Sequence, residues 1–337
     1  AGNTLSPKQA KKQQKKLKKQ RRHKKFWFGF KIFMLIALIA ILAALVVIYF
    51  KFGDDLLKWK MEATDVVENS TADTFRASET SIIYASNKSM IAKLKGDKDS
   101  YYLSFDEIPQ SVKDAMVVTE DRDFYKHEGV NFWSTAKAAV MLVESKLRHK
   151  DISRGGSTIT QQLAKNVFLS NERTYERKVR EIFIALDLEK KYTKDQILEF
   201  YINNIYFANG YYGIEAASRG YFNKPAKDLD LAEAVLLCSI PNRPSFYNPL
   251  EHYQNTLKRK NRILKQMLDE DCISAAEYSD ANYEKIVLKP AQAIKTQNYM
   301  TTYAVSCATK ALMKARGFEF KYKFKNDEEK KQYDKEY

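Results

Sequence analysis

Proline and glycine are scarce, 7 and 11 in 337 residues. An all-β architecture with a turn about every 8–12 residues needs more of both, and collagen-like or low-complexity chains need far more. Cysteine is scarcer still. Cys238, Cys272 and Cys307 are odd in number and far apart, which excludes a disulfide framework and the paired spacing of a zinc site. The four histidines, His23, His127, His149 and His252, form no HExxH or other paired-ligand pattern, which argues against a histidine-dependent metalloenzyme. No internal repeat is present. What the chain does have is apolar mass: 45% hydrophobic and 13% aromatic residues, enough for a sizeable core.

Acidic residues are absent from the first 31 positions, which carry twelve Lys or Arg. The net charge of +15 is therefore a property of the tail, because positions 32–337 hold 45 basic against 42 acidic residues. The tail is followed by IFMLIALIAILAALVVIYF at 32–50, nineteen residues without a charge. As a helix at ~1.5 Å per residue this run spans roughly 28 Å, close to the hydrocarbon thickness of a bilayer. Phe26, Trp27 and Phe28 precede it and Tyr49, Phe50 and Phe52 close it, as interfacial aromatic belts do. The basic flank predicts an N-terminus that stays in the cytoplasm. No small-x-small cleavage site follows before KFGDDLLKWK, so an uncleaved signal-anchor is expected rather than a cleaved leader. On this reading the lysines are a topology signal and a contact for anionic lipid, and nucleic acid is not a partner.

Residues 54–100 are polar and mixed, and SIIYAS (81–86) with MIAKLK (90–95) reads as a hairpin in a short stalk. From about residue 105 the pattern is helical. Pro109 suits the first turn of a helix burying Val112, Ala115, Met116 and Val118. Val179, Ile182, Phe183 and Leu186 fall on one face of a second helix. Thr193 with Gln196, Asp230 with Glu233 and Ser274 with Glu277 have capping-box spacing. The expected organisation is a basic cytoplasmic tail (1–31), a transmembrane signal-anchor (32–50), an extracytoplasmic stalk (51–100), a mainly α globule (101–285) and a linker (286–337) whose charge-rich end at 317–337 is detached from the globule.

Three stretches are polar where a plain core would be apolar. In TEDRDFYKHEGVNFW (119–133), Glu120 falls at a helix C-terminus, where the negative end of the dipole raises a carboxylate's pKa and suits a general base. A solvated acidic turn with Asp121 and Asp123 is the plainer alternative. In SRGGSTITQQLAKN (153–166), two glycines and the hydroxyls of Ser157 and Thr158 lead into a helix carrying Gln161, Gln162, Lys165 and Asn166. That is how a helix start receives phosphate, although an ordinary N-cap would look the same, and no GK[ST] makes it a P-loop. In RTYERKVREIFIALDLE (173–189), Arg173, Arg177, Lys178 and Arg180 crowd around Glu181. A surface ion pair between Arg177 and Glu181 is the default, and an anion site with one embedded carboxylate the alternative. Ser134-Thr135-Ala136-Lys137 matches an SxxK nucleophile pattern, but no SDN or KTG triplet follows it, so it is set aside.

In this order the stretches resemble the glycosyltransferase family 51 module of peptidoglycan synthases. The resemblance covers about residues 100–285 in five blocks: EDRDFYKHEG (120–129), GGSTITQQLAKN (155–166), RKVREIFIALDLE (177–189), KDQILEFYINNIYFANGYYGIEAAS (194–218) and LAEAVLLCSIPNRPSFYNP (231–249). It implies a lysozyme-like, mainly α fold and an inverting polymerisation of lipid II into β-1,4 glycan strands with loss of undecaprenyl diphosphate. Glu120 resembles the family's first catalytic glutamate, the base for the acceptor 4-hydroxyl. Glu181 resembles the second, which positions the acceptor or helps the leaving diphosphate through a divalent cation (Mg2+ or Mn2+), with no organic cofactor. Lys165 and Arg173 resemble the residues that hold the donor diphosphate, and Ser157, Thr158, Gln161, Arg177 and Lys178 the lining of the same groove.

The resemblance further implies lipid II, the growing glycan chain, the membrane and the cell-wall machinery as partners, and a single-pass type II place in the bacterial cell membrane. Residues 132–152 stand where that family has a membrane-dipping segment, with Phe132, Trp133, Met141, Leu142 and Val143 as its apolar residues. Cys238-Ser239 departs from the Ala-Gly usual there. QNYMTTYAVSCATKALMKAR (297–316) resembles the lead into the transpeptidase domain of bifunctional class A penicillin-binding proteins. A truncated bifunctional enzyme is expected ahead of a monofunctional one, with no transpeptidase activity. The nearest rival is a membrane-anchored lysozyme-like muramidase or lytic transglycosylase, which has no use for a diphosphate site; a non-catalytic scaffold is the rival from another class.

Overall fold

The computed structural model describes residues 7–76, 80–84, 87, 90–94, 99–134, 136, 156–170, 172, 174–290 and 299–337. They fall into two compact units, Ala1–Glu62 and Ala63–Tyr337. The first consists of helix α1 (Pro7–Glu68) up to Glu62. Its described large apolar side chains at 32–50 lie open, Phe33 at 65% and Ile36 at 60% exposure, whereas Leu56 and Trp59 are half-buried. Among the described residues no helix is long and apolar enough to cross a membrane. Within 32–50 the side chains of 41, 44, 45 and 47–49 lie outside the described set.

The second unit is mainly helical. The stretch read as the start of a stalk is the C-terminal part of α1, and its last turns pack: Ala63 and Val67 are buried. Lys191 Nζ caps that helix end by donating to the carbonyls of Val67, Glu68 and Ser70 at 2.8, 2.7 and 2.6 Å. The hairpin is present, with β1 (Ser81–Tyr84) antiparallel to β2 (Met90–Leu94). A short β3 (Asp99–Ser100) pairs in parallel with β4 (Tyr211–Tyr212).

Helix α2 (Gln110–Glu120) starts one residue after Pro109, which is its N-cap rather than its first turn. It packs against α7 (Leu231–Cys238) and α8 (Tyr253–Asp269). A second layer stacks α3 (Ile159–Phe168) on α4 (Tyr175–Lys191) and α5 (Lys194–Asn204). Helix α5 joins the layers: it also touches α2 and α6 (Ile214–Phe222), and its Ile197, Leu198, Tyr201 and Ile202 are wholly buried. Helix α9 (Ala275–Tyr283) leans on α8, and α10 (Tyr299–Ala315) with α11 (Asp327–Glu336) forms the tail.

Capping boxes at Thr193/Gln196, Asp230/Glu233 and Ser274/Glu277 open α5, α7 and α9 as the spacing predicts. The face expected on α4 is displaced. The buried stripe is Glu181, Ile184, Ala185 and Leu188, whereas Val179, Ile182, Phe183 and Leu186 are half-buried. The pattern misleads because one position of the buried stripe holds a carboxylate, so an apolar periodicity fits best one step around the helix.

Candidate active site

Glu120 is the last residue of α2, and its side chain points to where the two helical layers meet. Gln162 Nε2, from α3, donates to Glu120 Oε2 at 3.1 Å, and Gln162 is itself held by the hydroxyl of Tyr201, which donates to Oε1 of Gln162 at 3.1 Å. From α8, Arg259 Nη2 approaches Glu120 Oε1 to 3.6 Å. That oxygen is buried and, among the described residues, accepts no hydrogen bond. Burial of the carboxyl, 8% exposed, pushes its pKa above the ordinary 4.5, and Gln162, Arg259 and Lys165 pull it back. The shift has the direction expected from sequence, but its main cause is desolvation rather than the helix dipole.

Helix α3 sets the second side of the site. Thr158 and Gln161 form its capping box: Gln161 N donates to Thr158 Oγ1 at 3.1 Å and Thr158 N to Gln161 Oε1 at 3.0 Å. Thr158 Oγ1 also donates to the Gly129 carbonyl at 2.6 Å, so both expected groove residues are buried parts of the helix start. Asp121, beside Glu120, does unexpected work. Its Oδ2 accepts from Ile159 N at 3.1 Å and pairs with His127 Nε2 at 2.9 Å, fixing the first block to the second. Gly129 presses the same loop onto α4 at φ +84°, where a Cβ would stand 2.6 Å from the Ala185 carbonyl oxygen.

The third side is the cationic cluster on α4. Glu181 is 2% exposed, so its pairing is buried and not a surface ion pair. Arg177 Nη1 donates to Oε2 at 2.8 Å, and Lys178 Nζ donates both to Oε1 and to Ser157 Oγ, the latter at 2.8 Å. Arg180 Nη2 pairs with Glu176, its i,i−4 neighbour, at 2.8 Å. Lys165, half-buried, feels both carboxylates: burial lowers its pKa, Glu181 and Glu120 oppose the shift, and Arg177 and Lys178 add to it. Arg173, Gly155, Met141, Leu142 and Val143 lie outside the described residues, while Phe132 and Trp133 are 70% and 82% exposed. Cys238 and Ser239 are both wholly buried, with Cys238 Sγ directed to the Val112 carbonyl of α2 at 3.9 Å.

A divalent cation needs several free oxygen ligands. Both oxygens of Glu181 are engaged by cationic side chains, and among the described residues no three His, Cys, Asp or Glu converge. Among the described residues the groups around Glu181 therefore do not fit a protein-held ion; the side chains that converge on it are those of Arg177 and Lys178. Sequence reasoning did not reach Arg259, Asp121 or Tyr201. Asp121 was visible only as a neighbour of Glu120, and Arg259 stands in KRKNR, where spacing singles out no one residue.

Among the described residues, a buried carboxylate with one unbonded oxygen is thus coupled through Lys165 to a lysine- and arginine-rich cluster on a helical scaffold. The family model described as Transglycosylase matches residues 87–268, and the chain belongs to that family. It is 39% identical over 232 residues to penicillin-binding protein 4 of Bacillus subtilis, covering 68% of this chain and 36% of that protein. It is 42% identical over 204 residues to penicillin-binding protein 1A of Aquifex aeolicus, covering 60% and 28%. Against penicillin-binding protein 2a of Streptococcus pneumoniae it is 35% identical over 261 residues, covering 77% and 32%. The matched parts thus span about a third of these relatives' length.

Proposed function

We propose that the chain is a peptidoglycan glycosyltransferase that polymerises lipid II into β-1,4 glycan strands and releases undecaprenyl diphosphate with inversion. The observation that carries this reading is the pairing of Glu120, with one buried oxygen open, and Lys165, which is electrostatically coupled both to Glu120 and to the Glu181 cluster. Glu120 Oε1 takes the proton of the acceptor 4-hydroxyl as that oxygen attacks the anomeric carbon. The departing diphosphate gathers negative charge, and Lys165, Arg177 and Lys178, already held in place, stabilise it without reorganising. Arg173 joins them in this proposal. Glu181 fixes two of those cations in position, a role that needs no metal; an ion, if used, arrives with the diphosphate. Ser157 shares Lys178 with Glu181, whereas Thr158 and Gln161 serve by holding the helix start that presents Gln162 and Lys165.

The same proposal places α1 across the bacterial cell membrane. Its support is the uncharged run at 32–50 within a continuous helix, with every described large apolar side chain there exposed. Phe132 and Trp133 would rest in the headgroup layer, close to a lipid-linked substrate.

One observation favours the muramidase reading: burial raises the pKa of Glu120, as a general acid requires. Incubating the purified chain with labelled lipid II decides between them. Polymer and free undecaprenyl diphosphate, blocked by moenomycin, are expected. No polymer, or solubilisation of finished cell wall, overturns the proposal.

A further inference from the structure

The environment of Glu120 contains a cation that the reaction itself does not call for. Arg259 is 11% exposed, and among the described residues Glu120 is the only carboxylate within ion-pair distance of it. The guanidinium is aimed from two sides. Its Nε donates to the Ser239 carbonyl at 3.1 Å, and its plane lies over the Tyr247 ring at 5.0 Å. These contacts fix Nη2 at 3.6 Å from Oε1, near enough for strong attraction in a buried setting and too far for a proper hydrogen bond.

We infer that Arg259 is a positioning residue that keeps the buried Glu120 ionised by charge alone while leaving Oε1 unbonded for the proton it must accept. This rests on the general-base reading of Glu120. A closer arginine would occupy the basic lone pair and lower the basicity of the oxygen. With no arginine, burial would make the carboxyl easier to protonate. Of the other groups facing Glu120, Gln162 and Lys165 from α3 also favour its ionisation, Gln162 through its hydrogen bond to Oε2, but neither approaches Oε1; the adjacent Asp121 opposes ionisation, and Tyr201 from α5 and Cys238 from α7 stay neutral.

The test compares R259K, R259M and E120Q/R259M in the full chain. With labelled lipid II, R259M moves the acidic limb of kcat upward by about one pH unit, so that below the limb its rate falls about tenfold relative to wild type. R259K restores most of that shift. Thermal unfolding supplies a readout that needs no activity. R259M is less stable at pH 8 than at pH 5, and adding E120Q restores its Tm at pH 8, because the uncompensated buried charge is gone. An acidic limb that stays put in R259M, or a Tm loss that E120Q does not repair, shows that Arg259 only ties α8 to Ser239 and Tyr247 and overturns the inference. If the wild-type chain makes no polymer but the Tm cycle behaves as described, the function proposal fails and the charge coupling stands.

Discussion

The two glutamates of the site have the same side chain and nearly the same burial, yet their oxygens are treated in opposite ways. Glu181 is saturated: Arg177 holds one oxygen and Lys178 the other. Glu120 receives one neutral N–H on Oε2 and leaves Oε1 buried but unbonded among the described residues. A carboxylate whose lone pairs are all engaged is a poor base and a good anchor. One kept charged with a free oxygen is the reverse. The difference comes from which elements converge. Glu181 is met by cations from its own helix, one turn away, whereas Glu120 is met by side chains from α3 and α8 that the fold brings across.

The largest effect that would break this comparison is on catalysis. E120Q keeps the shape and the contact to Gln162 but removes the base, so kcat for lipid II polymerisation falls by about 10²–10⁴-fold. Moenomycin binding, measured separately, is retained. E181Q is expected to act first on structure. It weakens the pairing of the buried Glu181 position with the partly exposed Arg177 and Lys178, so stability falls by about 1–3 kcal/mol by urea unfolding. If E181Q left stability intact and cost as much rate as E120Q, the two carboxylates would share a chemical role and the contrast would collapse.

The pH profile sharpens it next. Glu120 must be ionised, and burial raises its pKa, so activity is lost as pH falls through a value above 4.5. Lys165 must be protonated, and burial lowers its pKa, so activity is lost again as pH rises through a value below 10.5. The kcat profile is therefore a bell narrowed from both sides. For stability the sign is opposite to the usual carboxylate: a raised folded pKa contributes stability at low pH that is lost as pH rises through it. E120Q should consequently gain Tm over wild type at pH 8 and not at pH 4, which paired thermal scans would check.

Much of this arrangement was legible in the residues, and the unread part has a common cause. The capping boxes are local signals, four residues wide, and each opened the helix expected of it. The hairpin is equally local. Glu120 and the α4 cluster stood out because their polarity interrupts helical patterns, and the family resemblance then gave them an order. Arg259 lies 139 positions from Glu120, and no spacing rule connects residues that only the packing of α2 on α8 brings together. The buried stripe of α4 was misread for a related reason: its polar member, Glu181, is buried only because the partners on its own helix neutralise it.

The smallest effect tests whether Thr158 belongs with the substrate or with the helix. Thr158 and Ser274 are both N-caps of capping boxes, on α3 and α9, and each accepts the N–H of the third helical residue. Losing either cap should cost about 1 kcal/mol. S274A, exposed and far from Glu120 in the chain, should show that loss in urea titration and nothing in kinetics. T158A should cost somewhat more, since its hydroxyl also donates to Gly129 and is buried. Because α3 presents Gln162 and Lys165, a frayed start loosens both, so kcat should drop a few-fold at nearly constant KM. A rise in KM with kcat held would instead mean that the hydroxyl contacts the substrate directly. T158S separates these outcomes further, because it keeps the cap and should recover both stability and kcat.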